Sequence, residues 1–354
     1  MNIQNWLLIA NVIICLVVSA FLFALKNKKT SSSLLSMTFW LLPLITQCIY
    51  LYTMWSSADF INSTSRLQFM SPILFALPFV LISSYKSISL LYRFLLSIVL
   101  STISVFMFNL PIDIIPQAPL WINQTLAVFL WSIITISMRI INKYDSFVVS
   151  ESFSICTGIA CLYFIGGIPF ALGFYATGFA ALSLSFLLYN WYPARITMPD
   201  STADIIGFIL GGLLISSSTE SAFSSVFTFF LLFFAETLFA TIQKLTFLPQ
   251  YTNIRDNTSF SHAINSGMPF SAVIGHFIRI NVFLILFGCF QAYSPNSYSL
   301  LLITTIITVW QMYRLINWQQ PSSSLKEINK EILAEIKTKI SKVKQQINST
   351  DKQN

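Results

Sequence analysis

The sequence predicts an all-α, polytopic integral membrane protein, and three features of the 354-residue chain support this prediction. Hydrophobic residues make up 55% of the chain and charged residues only 9%, so the apolar surface exceeds what one soluble core buries. Long apolar runs recur along the whole chain, and each has roughly the length of a helix that crosses a bilayer. Lys and Arg residues are concentrated in alternate loops, as in proteins that cross a membrane several times.

The apolar runs predict about eleven transmembrane helices. The first run is followed by the basic cluster KNKK and not by a small-residue cleavage site, so we expect it to remain in the protein as a helix. Several runs are short, among them 69–82 and 205–216, and such helices are tolerated where neighbouring helices cover their backbone groups. The runs are residues 6–25, 34–54, 69–82, 88–109, 119–138, 147–165, 168–189, 205–216, 222–243, 280–293 and 298–316.

The positions of Lys and Arg predict the orientation of the chain. If Met1 lies outside, nearly every Lys and Arg falls in an inside loop or in the tail from residue 314, with Arg66 as the clear exception. The inside loops are then residues 26–33, 83–87, 139–146, 190–204 and 244–279. The net charge of +7 therefore reflects topology, and we expect no nucleic-acid partner.

The last part of the chain differs from the rest, which divides it into a membrane domain, residues 1–320, and a cytoplasmic tail, residues 321–354. Apolar residues of the tail recur every three or four positions between Leu325 and Ile347, which predicts an amphipathic helix with a Lys-rich face. One interpretation is a helix on the anionic inner leaflet of the membrane. The other is a short coiled coil with a partner.

A polar loop between two apolar runs carries the clearest motif. Residues 190–207, NWYPARITMPDSTADIIG, resemble the signature N-x-x-P-A-x-x-F-M-G-D-x-G-S-x-x-x-G of the polyprenyl-phosphate N-acetylhexosamine-1-phosphate transferases. That family includes the phospho-N-acetylmuramoyl-pentapeptide transferase of peptidoglycan synthesis and the enzymes that begin O-antigen and teichoic acid chains. The chain matches the signature at Asn190, Pro193, Ala194, Met198, Asp200 and Gly207. It departs from the signature at Thr197, Pro199, Thr202 and Ala203.

Two further loops resemble degenerate motifs of the same family. Residues 138–152, MRIINKYDSFVVSES, keep Asn142 and Asp145 of the motif N-x-x-N-x-x-D-G-x-D-G, with Arg139 at its first position. Residues 255–268 correspond to a histidine-rich motif of the family. Of that motif they keep Asp256, His262 and Gly267, with Ser259 and Ser261 at positions of expected histidines.

The resemblance implies an activity and a set of site residues. Relatives transfer a HexNAc-1-phosphate from a UDP-sugar to undecaprenyl phosphate in the bacterial inner membrane, with Mg²⁺ as cofactor. Carried over to this chain, Asp200 is the metal ligand. The implied substrate-binding residues are Asn142, Asp145, Asn190, Arg195, Asp256 and His262.

One departure bears on catalysis. Relatives end their third helix with a catalytic pair of aspartates, whereas this chain has Ser83 and Ser84 there. Transfer of a sugar phosphate brings several negative charges together, and a neutral serine is a poor ligand for the hard cation that offsets them. The sequence therefore indicates a divergent or catalytically inactive member of the family.

Several of these residues also have structural interpretations. Asp200 and Asp204 are suited to cap a helix that begins near Ile205. Arg195 and Arg93 are explained equally well by phosphate binding and by the positive-inside rule, as is Lys86. The histidines, His262 and His276, fit a loop better than a metal site, and Glu236 requires a function or a buried partner because it lies within an apolar run.

Three hypotheses for the function remain open. The first is a divergent transferase that uses Asp200, with Asp145 or Asp256, to hold Mg²⁺. The second is an inactive relative that binds nucleotide sugar or lipid carrier, or pairs with an active subunit, as a homodimer or with another membrane protein. The third is a transporter, for which Glu151 and Glu236 are the polar residues within apolar runs.

Overall fold

The computed structural model describes residues 3–24, 76, 79, 89–107, 112–115, 117–218, 223–246, 253–293 and 298–318. Within these ranges every regular element is a helix, as the sequence predicts. One short 3₁₀ helix covers Ile254–Asn257. The α-helices are α1 (Ile3–Ala24), α2 (Leu90–Met107), α3 (Leu120–Ile141), α4 (Phe147–Phe164), α5 (Phe170–Asn190), α6 (Asp200–Ser218), α7 (Phe223–Thr246), α8 (Ser259–Asn265), α9 (Phe270–Gln291) and α10 (Tyr298–Ile316).

Seven of the described helices, α3–α7, α9 and α10, are long and apolar enough to span a membrane. The chain is therefore a polytopic membrane protein. Shorter apolar stretches occur in α1 and α2. The expected span at 34–54, most of the one at 69–82, Ser83, Ser84, Lys86 and the tail from 321 lie outside the described residues.

Two helices begin earlier than the sequence predicts. α6 begins at Asp200, so Asp200 and Asp204 lie in its first two turns and not in the predicted 190–204 loop. α9 begins at Phe270, which places His276 in a helix and not in the predicted loop 244–279. The first turns of both helices contain polar residues. The length of an apolar run predicts only the part of a helix that lies in apolar surroundings, so both starts were predicted too late in the sequence.

The bundle is arranged around α6 and α7. α3 packs along α6, α4 packs along α5, α1 contacts α5, and α2 contacts α3. α7 contacts α3, α4, α6, α9 and α10. The span in α6 is almost completely buried, whereas most of the span in α10 is exposed. α6 is thus the central helix, and the apolar exposed face of α10 is suited to lipid.

Glycine allows α6 to approach α3 closely. A Cβ atom at Gly207 would lie 2.8 Å from both Cα and the carbonyl oxygen of Thr135. One turn further on, a Cβ atom at Gly211 would lie 2.6 Å from Cδ1 of Trp131. The indole Nε1 of Trp131 donates to the carbonyl of Phe208 at 2.7 Å, which fixes the pairing of the two helices. Small residues at such a contact are typical of packed membrane helices.

We expect Gly207→Ala to destabilise the bundle, because the added methyl group would meet backbone atoms of α3 that cannot move aside. Overpacking of this kind costs about 1–3 kcal/mol. The measurement is the thermal unfolding temperature of purified protein in detergent.

Gly275→Ala in α9 is the matched control, since a Cβ atom there would meet nothing within 4 Å. It should leave the unfolding temperature unchanged or raise it, because Ala favours a helix over Gly by about 1 kcal/mol. Equal unfolding temperatures for the two variants would show that close packing at Gly207 does not hold α3 against α6.

Candidate functional site

Several helix ends meet at one end of the bundle, which we call the polar end. It is formed by the first turns of α2, α4 and α6 and the last turns of α3 and α5, which hydrogen bonds and ion pairs join to one another. The segment that contains the 3₁₀ helix and α8 contributes further side chains. The three loops that carry the resemblance therefore meet at one end of the molecule.

A buried carboxylate, that of Asp204, lies at the centre of the polar end. Nη1 of Arg93 donates to Oδ2 of Asp204 at 2.9 Å, and Nη1 of Arg139 donates to the same oxygen at 2.7 Å. The side chain of Asp204 is 0% exposed and that of Arg93 only 3%. Taking a charge out of water costs several kcal/mol unless a partner compensates it, so the three side chains stabilise one another.

Asp200 lies one turn earlier in α6 and is bound by the same arginine. Nη2 of Arg139 lies 3.2 Å from Oδ2 of Asp200, and Nη2 of Arg255 lies 2.6 Å from that oxygen. Nδ2 of Asn142 donates to the other oxygen, Oδ1, at 3.1 Å. The Arg139 guanidinium therefore bridges two carboxylates that are four residues apart on one helix.

We refer to these five charged residues as the arginine–aspartate cluster: Arg93, Arg139, Arg255, Asp200 and Asp204. Exposure increases outward through the cluster, from Asp204 at 0% to Asp200 at 35%. The inner half is therefore fixed by packing, and the outer half can exchange partners with water or with a solute.

A second ion pair extends the cluster towards α8. Nζ of Lys143 lies 2.7 Å from Oδ1 of Asp256 and 3.4 Å from Oγ of Ser261. Burial lowers the pKa of the Lys143 ammonium group, but the hydrogen bonds and charge interactions with Asp256 and Tyr144 together outweigh burial and raise this pKa above its ordinary value. Lys143 is therefore a cation at neutral pH.

His262 lies beside this pair, in α8. Its Nε2 is 3.3 Å from Oε1 of Gln243, and its ring packs on Phe239. Burial, and then the charge of Lys143, lower the pKa of the His262 imidazole. The ring is therefore neutral at pH 7 and does not add to the positive charge of the polar end.

Two of the sequence-predicted residues connect backbone segments. Asn190 is buried, accepts from the Ser146 N–H at 2.8 Å and donates to the Ile196 carbonyl at 2.9 Å. Oδ2 of Asp145 accepts from the Ala194 N–H at 3.4 Å. These contacts hold the loop after α3 against the loop after α5, and so set the position from which α6 begins.

The remaining sequence-predicted residues differ in their surroundings. Nδ2 of Asn142 also donates to the Met198 carbonyl at 3.0 Å, so this side chain both fixes the loop and contacts Asp200. Arg195 is exposed, and its backbone N–H donates to the Tyr189 carbonyl at 2.9 Å. Arg195 thus lies in the same loop without joining the cluster among the described residues.

Glu236, within α7, has a buried partner. It is fully buried and accepts from the Ser259 N–H at 2.8 Å and from the Ser259 hydroxyl. Ser261, two residues on, donates to the carbonyl of Arg255 at 2.9 Å. Both serines stand where the resemblance leads one to expect histidines, and here they anchor α8 and the 3₁₀ helix to the bundle.

The cluster does not fit Mg²⁺ as its residues are arranged. Mg²⁺ takes a near-octahedral set of oxygen ligands. At Asp200, Oδ2 is engaged by two guanidinium groups and Oδ1 by the Asn142 amide. Across the described ranges, no group of three or more His, Cys, Asp or Glu residues could hold a metal ion. The donor set around Asp200 is that of an ion-paired carboxylate.

Sequence reasoning missed the inner half of the cluster. It treated Asp204 only as a helix cap and Arg93 only as a charge at a membrane boundary or on phosphate. The sequence pattern that could have indicated the pair is that Arg93 lies within an apolar run and Asp204 next to one, where each charge needs a partner of opposite sign. The pairing itself spans 111 residues of sequence and is visible only in the structure.

We expect Asp204→Asn to lower the thermal unfolding temperature strongly, because it removes the buried carboxylate with which Arg93 and Arg139 are paired. Breaking a buried pair by removing one partner costs about 3–5 kcal/mol. Asp200→Asn is the matched control, the same change one turn earlier at a side chain that is 35% exposed. Its loss should be smaller, because water solvates the arginines that remain. Equal losses would refute the central place of Asp204.

The comparisons with known proteins agree with this geometry. A search of curated proteins finds no match. The family model described as glycosyl transferase family 4 matches residues 40–218. This match covers half of the chain and includes Arg93, Arg139, Asp200 and Asp204; Arg255 lies beyond it. The chain therefore belongs to glycosyl transferase family 4, a family of membrane sugar-phosphate transferases.

Proposed function

We propose that this protein binds an anionic substrate of its family, a UDP-HexNAc or undecaprenyl phosphate, at the cytoplasmic side of the bacterial inner membrane without transferring the sugar phosphate. The observation that carries the proposal is the position of Arg139 between Asp200 and Asp204. Both carboxylates are neutralised by guanidinium groups, and basic side chains remain at the surface of the polar end.

Transfer of a sugar phosphate places stricter demands on a site than binding does. The reaction joins two phosphate-bearing groups, and the developing charge has to be offset by cations held in place by carboxylates. In this chain Ser83 and Ser84 replace the family's aspartate pair, and the remaining Asp200 is paired with arginines. Binding an anion needs only positive charge and hydrogen-bond donors, which Arg139, Arg255 and Lys143 supply.

A binding protein of this kind acts on glycan assembly through its partners. It can hold a lipid or nucleotide intermediate for an active transferase, or pair with one as a subunit. The exposed apolar side chains of α10, Leu302, Ile306, Val309 and Tyr313 among them, give a surface that suits either lipid or a second membrane protein. A homodimer through the same face is consistent with this role.

The second candidate function is slow transfer by a divergent enzyme. It is favoured by the exposure of two carboxylates at the polar end, Asp200 at 35% and Asp256 at 40%. These are the positions at which the family resemblance places substrate and Mg²⁺. The transporter alternative gains no support from the described contacts of its two polar residues. Glu236 accepts from the Ser259 N–H. Oε2 of Glu151 accepts from Asn281 at 2.7 Å, and Oε1 has no hydrogen-bond partner among the described residues.

Release of UMP separates the two candidates. Purified protein, reconstituted with undecaprenyl phosphate and Mg²⁺, would be incubated with a panel of UDP-sugars. We expect no UMP above the level of protein-free vesicles, together with measurable binding of at least one UDP-sugar or of the lipid. A general base alone contributes about 10²- to 10⁴-fold to a rate, so loss of the carboxylates should place turnover below detection.

The proposal fails if the unmodified protein releases UMP and Asp200→Asn abolishes that release. This result would establish the divergent transferase, with Asp200 at its centre. The same release by Asp200→Asn would instead point to a contaminating enzyme. Arg279→Gln, a change at an exposed side chain of α9, serves as the control for protein quality.

A further inference from the structure

We infer that the polar end holds the phosphate groups of its ligand directly on Arg139, Arg255 and Lys143, with Asp200 as an exchangeable counter-ion and with no divalent cation. The inference rests on the proposed function, since it specifies how the proposed anion is bound. It departs from the metal-dependent chemistry that the family resemblance implies. The distinguishing feature is that a guanidinium lies where a cation between Asp200 and Asp204 would have to lie.

The exposed fractions of the side chains support an exchange of partners in the outer half of the arginine–aspartate cluster. Asp204 is completely buried and binds Arg93 and Arg139, so it fixes the two guanidinium groups in place. Asp200 and Asp256 are the most exposed side chains of these ion pairs and bind the basic groups from the solvent side. An arriving phosphate would displace these two carboxylates into water, where their charge is well solvated, without disturbing the buried pair.

The basic side chains already have donors directed at oxygen atoms. Arg255 and Arg139 both donate to Oδ2 of Asp200, at 2.6 and 3.2 Å, and Lys143 donates to Asp256 at 2.7 Å. A phosphate oxygen has the same charge and acceptor character as a carboxylate oxygen. Guanidinium groups bind phosphate well, and the same N–H groups that now contact Asp200 can donate to a phosphate oxygen.

The charges of the polar end favour an anion over a divalent cation. Among the described ion pairs, Arg93, Arg139, Arg255 and Lys143 carry four positive charges, and Asp200, Asp204 and Asp256 carry three negative ones, which leaves one net positive charge. A divalent cation at Asp200 would have to displace two guanidinium groups, and it would meet their repulsion.

A buried amide next to Asp256 is an independent sign of a ligand site. Asn257 is 0% exposed, and neither Nδ2 nor Oδ1 has a hydrogen-bond partner among the described residues. Buried polar groups are nearly always paired, so an unpaired amide calls for an explanation. A polar ligand that reached this amide would supply both a donor and an acceptor.

The test is the affinity for inorganic pyrophosphate, measured by isothermal titration calorimetry on the full-length protein in detergent with EDTA. Asp200→Asn should bind more tightly, because it removes the carboxylate that competes with phosphate for Arg255 and Arg139. Arg255→Gln should bind about tenfold more weakly, the usual effect of losing one charged hydrogen bond. Arg279→Gln should bind like the unmodified protein, since Arg279 is exposed and lies outside the cluster.

A metal-dependent site predicts the opposite change in affinity for Asp200→Asn. Weaker binding by Asp200→Asn, or binding by the unmodified protein only when Mg²⁺ replaces EDTA, would overturn the inference. Absence of pyrophosphate binding in both buffers would overturn it as well. None of these readouts depends on turnover, so the inference can fail while the UMP result stands, and the reverse also holds.

Competition identifies the source of the phosphate. Displacement of pyrophosphate by a UDP-sugar would assign the site to a nucleoside diphosphate. Displacement by undecaprenyl phosphate in nanodiscs would assign it to the headgroup of a lipid. Displacement by neither would contradict a role of the cluster in binding the ligands of this family.

Discussion

The rest of the polar end depends on one interaction, the ion pairing of the buried Asp204 carboxylate with two arginines. This carboxylate lies on α6, the central helix of the bundle, and draws Arg93 of α2 and Arg139 of α3 onto one oxygen atom. Because none of these groups can be left alone in an apolar bundle, the three helices are held in one register at this end. That register places Arg139 beside Asp200, the first residue of α6.

One consequence is that the positive charges beside Asp200 are side chains of the protein itself. Unit charges 4 Å apart interact by about 4 kcal/mol at an effective dielectric constant near 20, so a guanidinium at hydrogen-bond distance strongly changes what a carboxylate can bind. Asp200 has two such neighbours, Arg139 and Arg255. On the function proposed above, these arginines suit the site to holding phosphate and not to transferring it.

The sequence predicts the fold better than the site, for physical reasons. The length of an apolar run predicts where a helix spans the membrane. It predicts the end of that helix only when few polar residues continue the helix beyond the run, so the starts at Asp200 and Phe270 were missed. The loop motifs single out Asp200 and Asn142, which the structure joins by a hydrogen bond, and their roles in the site stay predictions. The pairing of Arg93 with Asp204 depends on how α2 and α6 pack, which no local pattern encodes.

The most direct test of the central claim is a cryo-electron microscopy map of the full-length protein in lipid nanodiscs, with a UDP-sugar and Mn²⁺ present. The account predicts density for the Arg139 side chain between Asp200 and Asp204, phosphate density on the outer arginine and lysine side chains, and no metal between the two carboxylates. Strong density for a metal ion bound to Asp200, with the Arg139 guanidinium displaced from it, would contradict the account.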